Sequence, residues 1–344
     1  MTKTLFFAGD VAISREQPSG AFGDVTPLIA EADFSFCNLE FPLTDRDSAP
    51  RGKIYPQKAL PSSIGGLVEA GFSAVNLANN HMFDQGPDGW RDTVAALDGN
   101  GVGKFGTGES LDESARPFIV ERDGLRVGVM GVSTTIPQGY GATDDRCGIY
   151  PLRVETLYRQ RHNPDEYPGT APIIESRPFE EDLERLKSDI GKARSQCDVL
   201  LLYVHWGTSM TEQVHDFQRI IGHAAIDAGV AGIFGGHQHV VCGVEYYRGV
   251  PIVHGMANLI FDLDVHFFDE RTKRCVAFLA DIDKNGLSNC RLVGCRTGSF
   301  APAARMDLSS FQGQSLVNAV IAMSEPLHCK VELRDNAMWL LSSE

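Results

Sequence analysis

Five short apolar runs in this chain each end abruptly in groups that can bind cations or move protons. They read Phe6-Phe7-Ala8-Gly9-Asp10, Phe34-Ser35-Phe36-Cys37-Asn38-Leu39-Glu40, Val75-Asn76-Leu77-Ala78-Asn79-Asn80-His81, Leu202-Tyr203-Val204-His205-Trp206-Gly207 and Gly232-Ile233-Phe234-Gly235-Gly236-His237-Gln238-His239. Open α/β sheets place ligands beyond the carboxyl ends of their strands, so the five ends are expected to meet in one crevice. Two carboxylates (Asp10, Glu40), an amide oxygen (Asn80) and three imidazoles (His205, His237, His239) make a donor set better suited to Mn, Fe or Zn than to Mg or Ca. Such a set can hold one ion, or two about 3.5 to 4 Å apart, that polarise a phosphoryl or carbonyl oxygen and acidify a bound water. His81, next to Asn80, would then protonate the leaving group. Without metal, Asp10, His81, His205 and His254 are an acid–base set able to move a proton at a peptide Cα. Asn38, Asn79, Trp206 and Arg153 are the expected substrate-binding residues.

Each group also has a plainer reading. An aspartate after glycine often only closes a turn, Asn79-Asn80 can build a left-handed turn, and Glu40 can be a solvated loop acid. Alternating histidines after two glycines have little packing rationale, which favours a site for His237 and His239. His215 and His223 fall off the apolar stripe of their helix and are expected to face solvent, while His162, His266 and His328 lack polar company.

The elements that must position these groups follow an α/β rhythm. Residues 5–8, 34–37, 72–78 and 126–131 have the pattern of strands. Ile64, Leu67 and Val68 lie at helical spacing and stop at Gly71, and Trp90, Val94 and Leu97 form a second stripe. Residues 137–178 carry six prolines, several tyrosines and Arg146, Arg153, Arg159 and Arg161, which suits a lid over an anionic or peptide ligand. The rhythm resumes with a helical stripe from Leu183 to Ala193, a strand at 198–204, a helix through Phe217, Ile221 and Ala225, and a strand at 231–234. Strands at 244–247, 250–253, 275–282 and 292–295 follow, so the second half is expected to be mixed.

Taken in order, Gly9-Asp10, Asn38-Leu39-Glu40, Leu77-Ala78-Asn79-Asn80-His81, Val204-His205-Trp206-Gly207, Gly236-His237-Gln238-His239-Val240 and Asn258-Leu259-Ile260-Phe261-Asp262 resemble the CapA-like proteins, named for poly-γ-glutamate capsule synthesis, within the calcineurin-like metallophosphoesterase superfamily. The resemblance implies a four-layer α/β sandwich of two mixed sheets flanked by helices. It also implies Asp10 and His239 on one metal, Asn80, His205 and His237 on another, and Glu40 between them. Ala12 stands where the superfamily usually has the histidine of Asp-x-His, Glu40 stands where it usually has aspartate, and His254-Gly255-Met256-Ala257 replaces the commoner Tyr-Ser-Leu-Gly. A domain over 1–300 with a lid-like insertion at 137–178, and a C-terminal extension over 301–344 packing on it, is the expected organisation.

The net charge of −14, from 31 basic and 45 acidic residues, opposes nucleic-acid binding. No run approaches the roughly 18 apolar residues of a membrane helix. The opening apolar run is too short for a signal peptide, and the eight cysteines are scattered, so a cytoplasmic location with reduced thiols is expected. Three functions remain open. They are a metal-dependent hydrolase or transferase on a phosphate ester or a peptide-like, poly-γ-glutamate-type substrate; a metal-independent peptide epimerase like those of lasso-peptide pathways; and a non-catalytic capsule-assembly module.

Overall fold

Lys3–Ala12 is apolar on both faces, and from Leu5 onward every residue is buried, as a strand covered on both sides requires. It is central to the larger of two mixed sheets in the computed structural model, which describes residues 2–263 and 268–343. Along this sheet the order is Cys329–Arg334, Ala337–Ser342, Gly286–Gly298, Arg274–Asp283, Lys3–Ala12, Phe34–Leu39, Ala74–Asn76 and Gly103–Phe105. Asn258–Phe261 also pairs with the central strand, and Ala301–Arg305 with Gly286–Gly298.

The second sheet runs Val244–Tyr247, Val250–Val253, Ile233–Gly236, Val199–His205, Leu125–Ser133 and Phe118–Arg122. Its strand Val199–His205 shows how the layers form. Val199, Leu201 and Tyr203 join the core between the sheets, whereas Leu200, Leu202 and Val204 join a separate cluster with Leu186, Ile190, Ile221 and Ala225. Period-two alternation thus puts one set of side chains against the other sheet and the other set against helices Glu180–Arg194 and Asp216–Asp227. Between the sheets, the Phe7 ring stacks on Phe234 with centroids 4.1 Å apart. The result is the expected sandwich of mixed sheets flanked by helices.

Several elements differ from the sequence pattern. The expected strand at 72–78 is only Ala74–Asn76, because the Asn76 side chain donates to the Ala78 carbonyl and accepts from its N–H, turning the chain out of the sheet. The 137–178 segment is not wholly irregular, since Gly148–Ile149 pairs with Thr107–Gly108, and Val154–Arg159 and Ile173–Pro178 form a hairpin. His215 caps helix Asp216–Asp227, and His223 pairs with Glu245, so neither is merely a solvated surface residue. The His162 ring lies beside that of Tyr167, with centroids 5.1 Å apart. His266 lies outside the described residues. All eight cysteines are free and buried. Among the described residues, no helix is long and apolar enough to cross a membrane.

The central strand changes neighbour where its chemistry begins. Residues 3–7 pair with Arg274–Asp283, whereas residues 10–12 pair with Asn258–Phe261, and the ladder shifts register beside Asp10. Gly9 fills the crossover: a Cβ there would lie 2.1 Å from the Ala257 carbonyl oxygen, which accepts the Asp10 N–H. Backbone against backbone cannot yield cheaply, so Gly9→Ala is expected to destabilise the fold by about 1–3 kcal/mol, read as a lowered midpoint in denaturant melts. An unchanged midpoint would show that this crossover is slack.

Candidate metal and acid–base site

Asp10 is fully buried, and three donors hold it. Its Oδ1 accepts from Asn38 Nδ2 at 2.9 Å and from Tyr203 Oη at 3.1 Å, and its Oδ2 accepts from the His237 N–H at 3.1 Å. The same Asn38 amide nitrogen donates to Glu40 Oε2. Its oxygen accepts from Asn76 Nδ2 at 2.8 Å and Asn79 Nδ2 at 3.1 Å. Asn79 in turn accepts the N–H groups of His81 and Met82 at 3.0 Å, which sets the turn carrying Asn80 and His81. Neighbouring parallel strands make this chain of amides possible, because Asp10 pairs in register with Asn38, and Asn38 with Asn76.

Around this brace the donors converge. Ligand atoms of Asp10, Glu40 and His205 all lie within 4.8 Å of one another and could hold a metal ion. His205 Nε2 donates to Asn80 Oδ1 at 2.8 Å, leaving the Nδ1 lone pair, 4.0 Å from Asp10 Oδ1, without a partner. His239 Nδ1 donates to Asn258 Oδ1 at 2.8 Å, so its Nε2 lone pair is free to act as a ligand. The His205 and His237 rings are 4.9 Å apart, and those of His237 and His239 are 6.0 Å apart. Both His237 (φ 92°) and His239 (φ 59°) adopt left-handed backbone, a strain typical of functional sites. Gly236 before them has no alternative, since a Cβ would fall 1.9 Å from Tyr203 Oη and 2.6 Å from Asp10 Oδ1.

The electrostatics suit a cation. Glu40 Oε1, His205 Nδ1 and His237 Nδ1 are buried without hydrogen-bond partners, which is costly unless something satisfies them. Burial, then the Asp10 carboxylate, pushes the Glu40 carboxyl well above its usual range. Burial and the neighbouring imidazoles hold His205 far below its usual value and His237 down at about 3, and burial also lowers His239. Neutral imidazoles beside carboxylates are lone-pair donors awaiting positive charge, so the residues present fit Mn, Fe or Zn. Ala12 is fully buried and adds no donor, leaving the first position short of the usual histidine.

His81 lies beside this cluster on a hydrogen-bond network of its own. Its Nδ1 donates to Asp84 Oδ2 at 2.7 Å, which leaves Nε2 available to a ligand. Asp84 also takes a salt bridge from Lys53 Nζ at 2.7 Å and a hydrogen bond from Tyr140 Oη at 2.8 Å, while Lys53 donates to the Asn80 carbonyl at 3.0 Å. Lys53, Asn80, His81, His237 and His239 line a cavity of about 600 Å³ whose remaining wall includes Phe41, Ile54, Tyr55, Phe261, Leu263 and Phe268. Among the described residues, none of the 137–178 insertion lines this cavity, and Tyr140 reaches the site through Asp84.

Of the expected residues, Asp10, Glu40, Asn80, His81, His205, His237 and His239 come together. Five others are placed differently. Asn38 and Asn79 spend their amides on bracing the carboxylates and the turn, so they position the site and do not face a substrate. Trp206 is fully buried with Nε1 donating to the His254 carbonyl at 2.8 Å. Arg153 binds Asp182 and Glu181 at the start of helix Glu180–Arg194, away from the cavity. His254 is fully buried, stacked on Trp206, with Nε2 3.0 Å from Glu245 Oε2, and does not line the cavity. Sequence reasoning missed Asp84, whose i+3 spacing from His81 was the available signal, and Asn258, which lay inside a motif already noted. Lys53 and Tyr203 carried no local signal.

Residues 4–263 match the model of a family described as bacterial capsule synthesis protein PGA_cap. The PGA biosynthesis protein CapA of Bacillus subtilis is 24% identical over 266 residues, covering 74% of this chain and 62% of that protein. A probable polyglutamine synthesis accessory protein of Mycobacterium tuberculosis is 27% identical over 237 residues, covering 67% of this chain and 56% of its own length. The chain therefore spans about three fifths of the length of these curated relatives. Among solved structures, the GAP50 anchor in the inner membrane complex of Plasmodium aligns at 10% identity over 89% of this chain and 88% of that one with a TM-score of 0.33, too loose to carry weight.

Two measurements test the electrostatics. Titrating Mn or Zn to a hundredfold excess over its dissociation constant should stabilise the protein by about 2.7 kcal/mol, seen as a raised melting temperature, and Glu40→Gln should shrink the gain. No shift with any of Mn, Fe or Zn would remove the metal assignment. Separately, burial opposes ionisation of Glu245, but His254, His223 and Arg219 outweigh it and hold the carboxyl at about 2. A depressed folded-state pKa contributes stability that is full above the ordinary carboxyl value and lost as pH falls toward about 2. Glu245→Gln should flatten that part of the stability–pH profile, and an unaltered slope would assign it to other groups.

Proposed function

The chain belongs to the PGA_cap family of bacterial capsule synthesis proteins, and on that premise we propose that it is a metal-assisted hydrolase or transferase acting on a peptide-like amide in capsule-polymer synthesis. The observation that carries this reading is the cluster of Asp10, Glu40 and His205, whose ligand atoms lie within 4.8 Å of one another, together with three buried atoms that lack hydrogen-bond partners, Glu40 Oε1, His205 Nδ1 and His237 Nδ1. Asp10, Glu40 and His205 would hold the ion, with His237, His239 and Asn80 completing one or two positions. A bound Mn, Fe or Zn would supply a Lewis acid for the carbonyl and acidify a water.

The remaining work falls to the chain's own side chains. His81 delivers a proton from Nε2 to the departing nitrogen, and Asp84, accepting from Nδ1, fixes the orientation of the ring. Lys53 and Tyr140 fix Asp84 in turn. The apolar wall of Phe41, Ile54, Tyr55, Phe261, Leu263 and Phe268 favours a neutral amide over a phosphate ester, because its one lining lysine is already paired with Asp84. The metal-free epimerase reading loses one of its four groups, since His254 is tied to Glu245 outside the cavity, while Asp10, His81 and His205 serve either reading.

Assays with poly-γ-glutamate, neutral peptides and phosphate esters, with and without Mn, Fe or Zn, test the proposal. Metal-dependent cleavage or transfer of an amide is expected, with His81→Asn lowering kcat by about 10²- to 10⁴-fold while metal binding persists. Full activity after exhaustive chelation, or solvent deuterium entering a peptide Cα without amide turnover, would replace it with the epimerase reading. Faster turnover of a phosphate ester than of any amide would replace the substrate class.

A further inference from the structure

A second cavity of about 400 Å³ lies between the Val154–Arg159/Ile173–Pro178 hairpin and the chain leading into helix Asp216–Asp227. One face of the hairpin builds it. Ser176 pairs with Thr156, and Val154 and Ile174 lie two residues from them, so all four side chains share that face. The hairpin's charges sit on the opposite face, zipped as Glu155–Arg177 and Arg159–Glu175. The cavity is left with hydroxyl and apolar groups on this side and with Gln213, His215, Asp216 and Phe217 on the other, and among the described residues no lysine or arginine lines it.

Only a short bar separates this cavity from the metal and acid–base site. Thr208 lines the second cavity and the next residue, Ser209, lines the first. The bar is held rigidly against the histidine turn: the Met210 N–H donates to the Gln238 carbonyl at 2.8 Å, and Met210 adopts a left-handed φ of 64°. Gly207 packs so closely on Gln238 that a Cβ would lie 2.6 Å from its Nε2. A ligand crossing the bar would therefore pass from His237 and His239 directly onto the hairpin face. That face continues outward as Tyr158, which pairs with Ile174; the two are 71% and 62% exposed, too apolar for a free surface strand.

We propose that the hairpin cavity is a second subsite that binds an extended, uncharged stretch of a peptide chain whose reacting amide lies at the metal and acid–base site. Continuity at Thr208 and Ser209 supplies the link, and a lining without lysine or arginine sets the chemistry: a run of side-chain carboxylates would meet the Asp216 carboxylate, with the single imidazole of His215 beside it. This rests on the amide reading above. The face recognises backbone through Thr156, Ser176 and Gln213 and packs small or apolar side chains on Val154 and Ile174.

The test is calorimetric binding of blocked, neutral peptides, from dipeptide to octapeptide, to the full chain loaded with Mn or Zn. Affinity is expected to rise with length, and Ser176→Trp, which fills the cavity from a surface strand, should weaken the longest peptide about tenfold while sparing the shortest. Binding of neither short nor long peptides would instead overturn the amide reading on which this rests, so failure of that reading and failure of this subsite are separable. Affinity independent of length, equal weakening of short and long peptides by Ser176→Trp, or tighter binding of oligoglutamate than of neutral peptides would each overturn the proposal.

Discussion

Two carboxylates, Asp10 and Glu40, are buried side by side, and a single amide allows it. Asn38 Nδ2 donates to both of them, and its oxygen is held in turn by Asn76 and Asn79. Unpaired buried charges are strongly disfavoured, so without this brace one carboxylate would have to leave or neutralise. The brace only partly satisfies them, and Glu40 is pushed upward by burial and by Asp10. What remains unsatisfied is what a cation would meet.

The fold exists around this compromise. Residues 10–12 leave one neighbour for another at Gly9, and the crossover turns the Asp10 carboxylate toward the second sheet, where Tyr203 and the His237 N–H reach it. Strain is concentrated at the same place, in the left-handed His237, His239 and Ala257. The surrounding aromatic layer of Phe7, Tyr203 and Phe234 keeps the two sheets in the register that this geometry needs.

Polar groups deeper in the second sheet serve a different end. His254, Glu245, His223 and Arg219 form their own network, in which Glu245 and His254 are buried and His223 and Arg219 reach the surface, and Trp206 stacks on His254. Its residue types are those of an active site, but none of its members lines either of the two cavities. His254 Nδ1 is buried without a partner, as Glu40 Oε1 and His237 Nδ1 are, so what separates this cluster from the candidate site is that His237 and His239 line a cavity and His254 does not.

Much of this was legible in the residues themselves. Strand ends declare their donors locally, because an apolar run must stop where polar groups begin, and Asp10, Glu40, Asn80, His81, His205, His237 and His239 all meet as their strand ends implied. The layer alternation in Val199–His205 was likewise written in its period. Side-chain roles were not. Whether Asn38 faces a ligand or a carboxylate, whether Arg153 is free or held by Asp182, and whether His254 opens to a cavity or to Glu245 depend on partners that sequence separates and folding brings together. Lys53, remote in sequence from any motif, reaches Asp84 for the same reason. Residue type and spacing determined which chemistry this chain carries; only the tertiary structure decided which of those groups remain unsatisfied, because satisfaction is a property of neighbours in space.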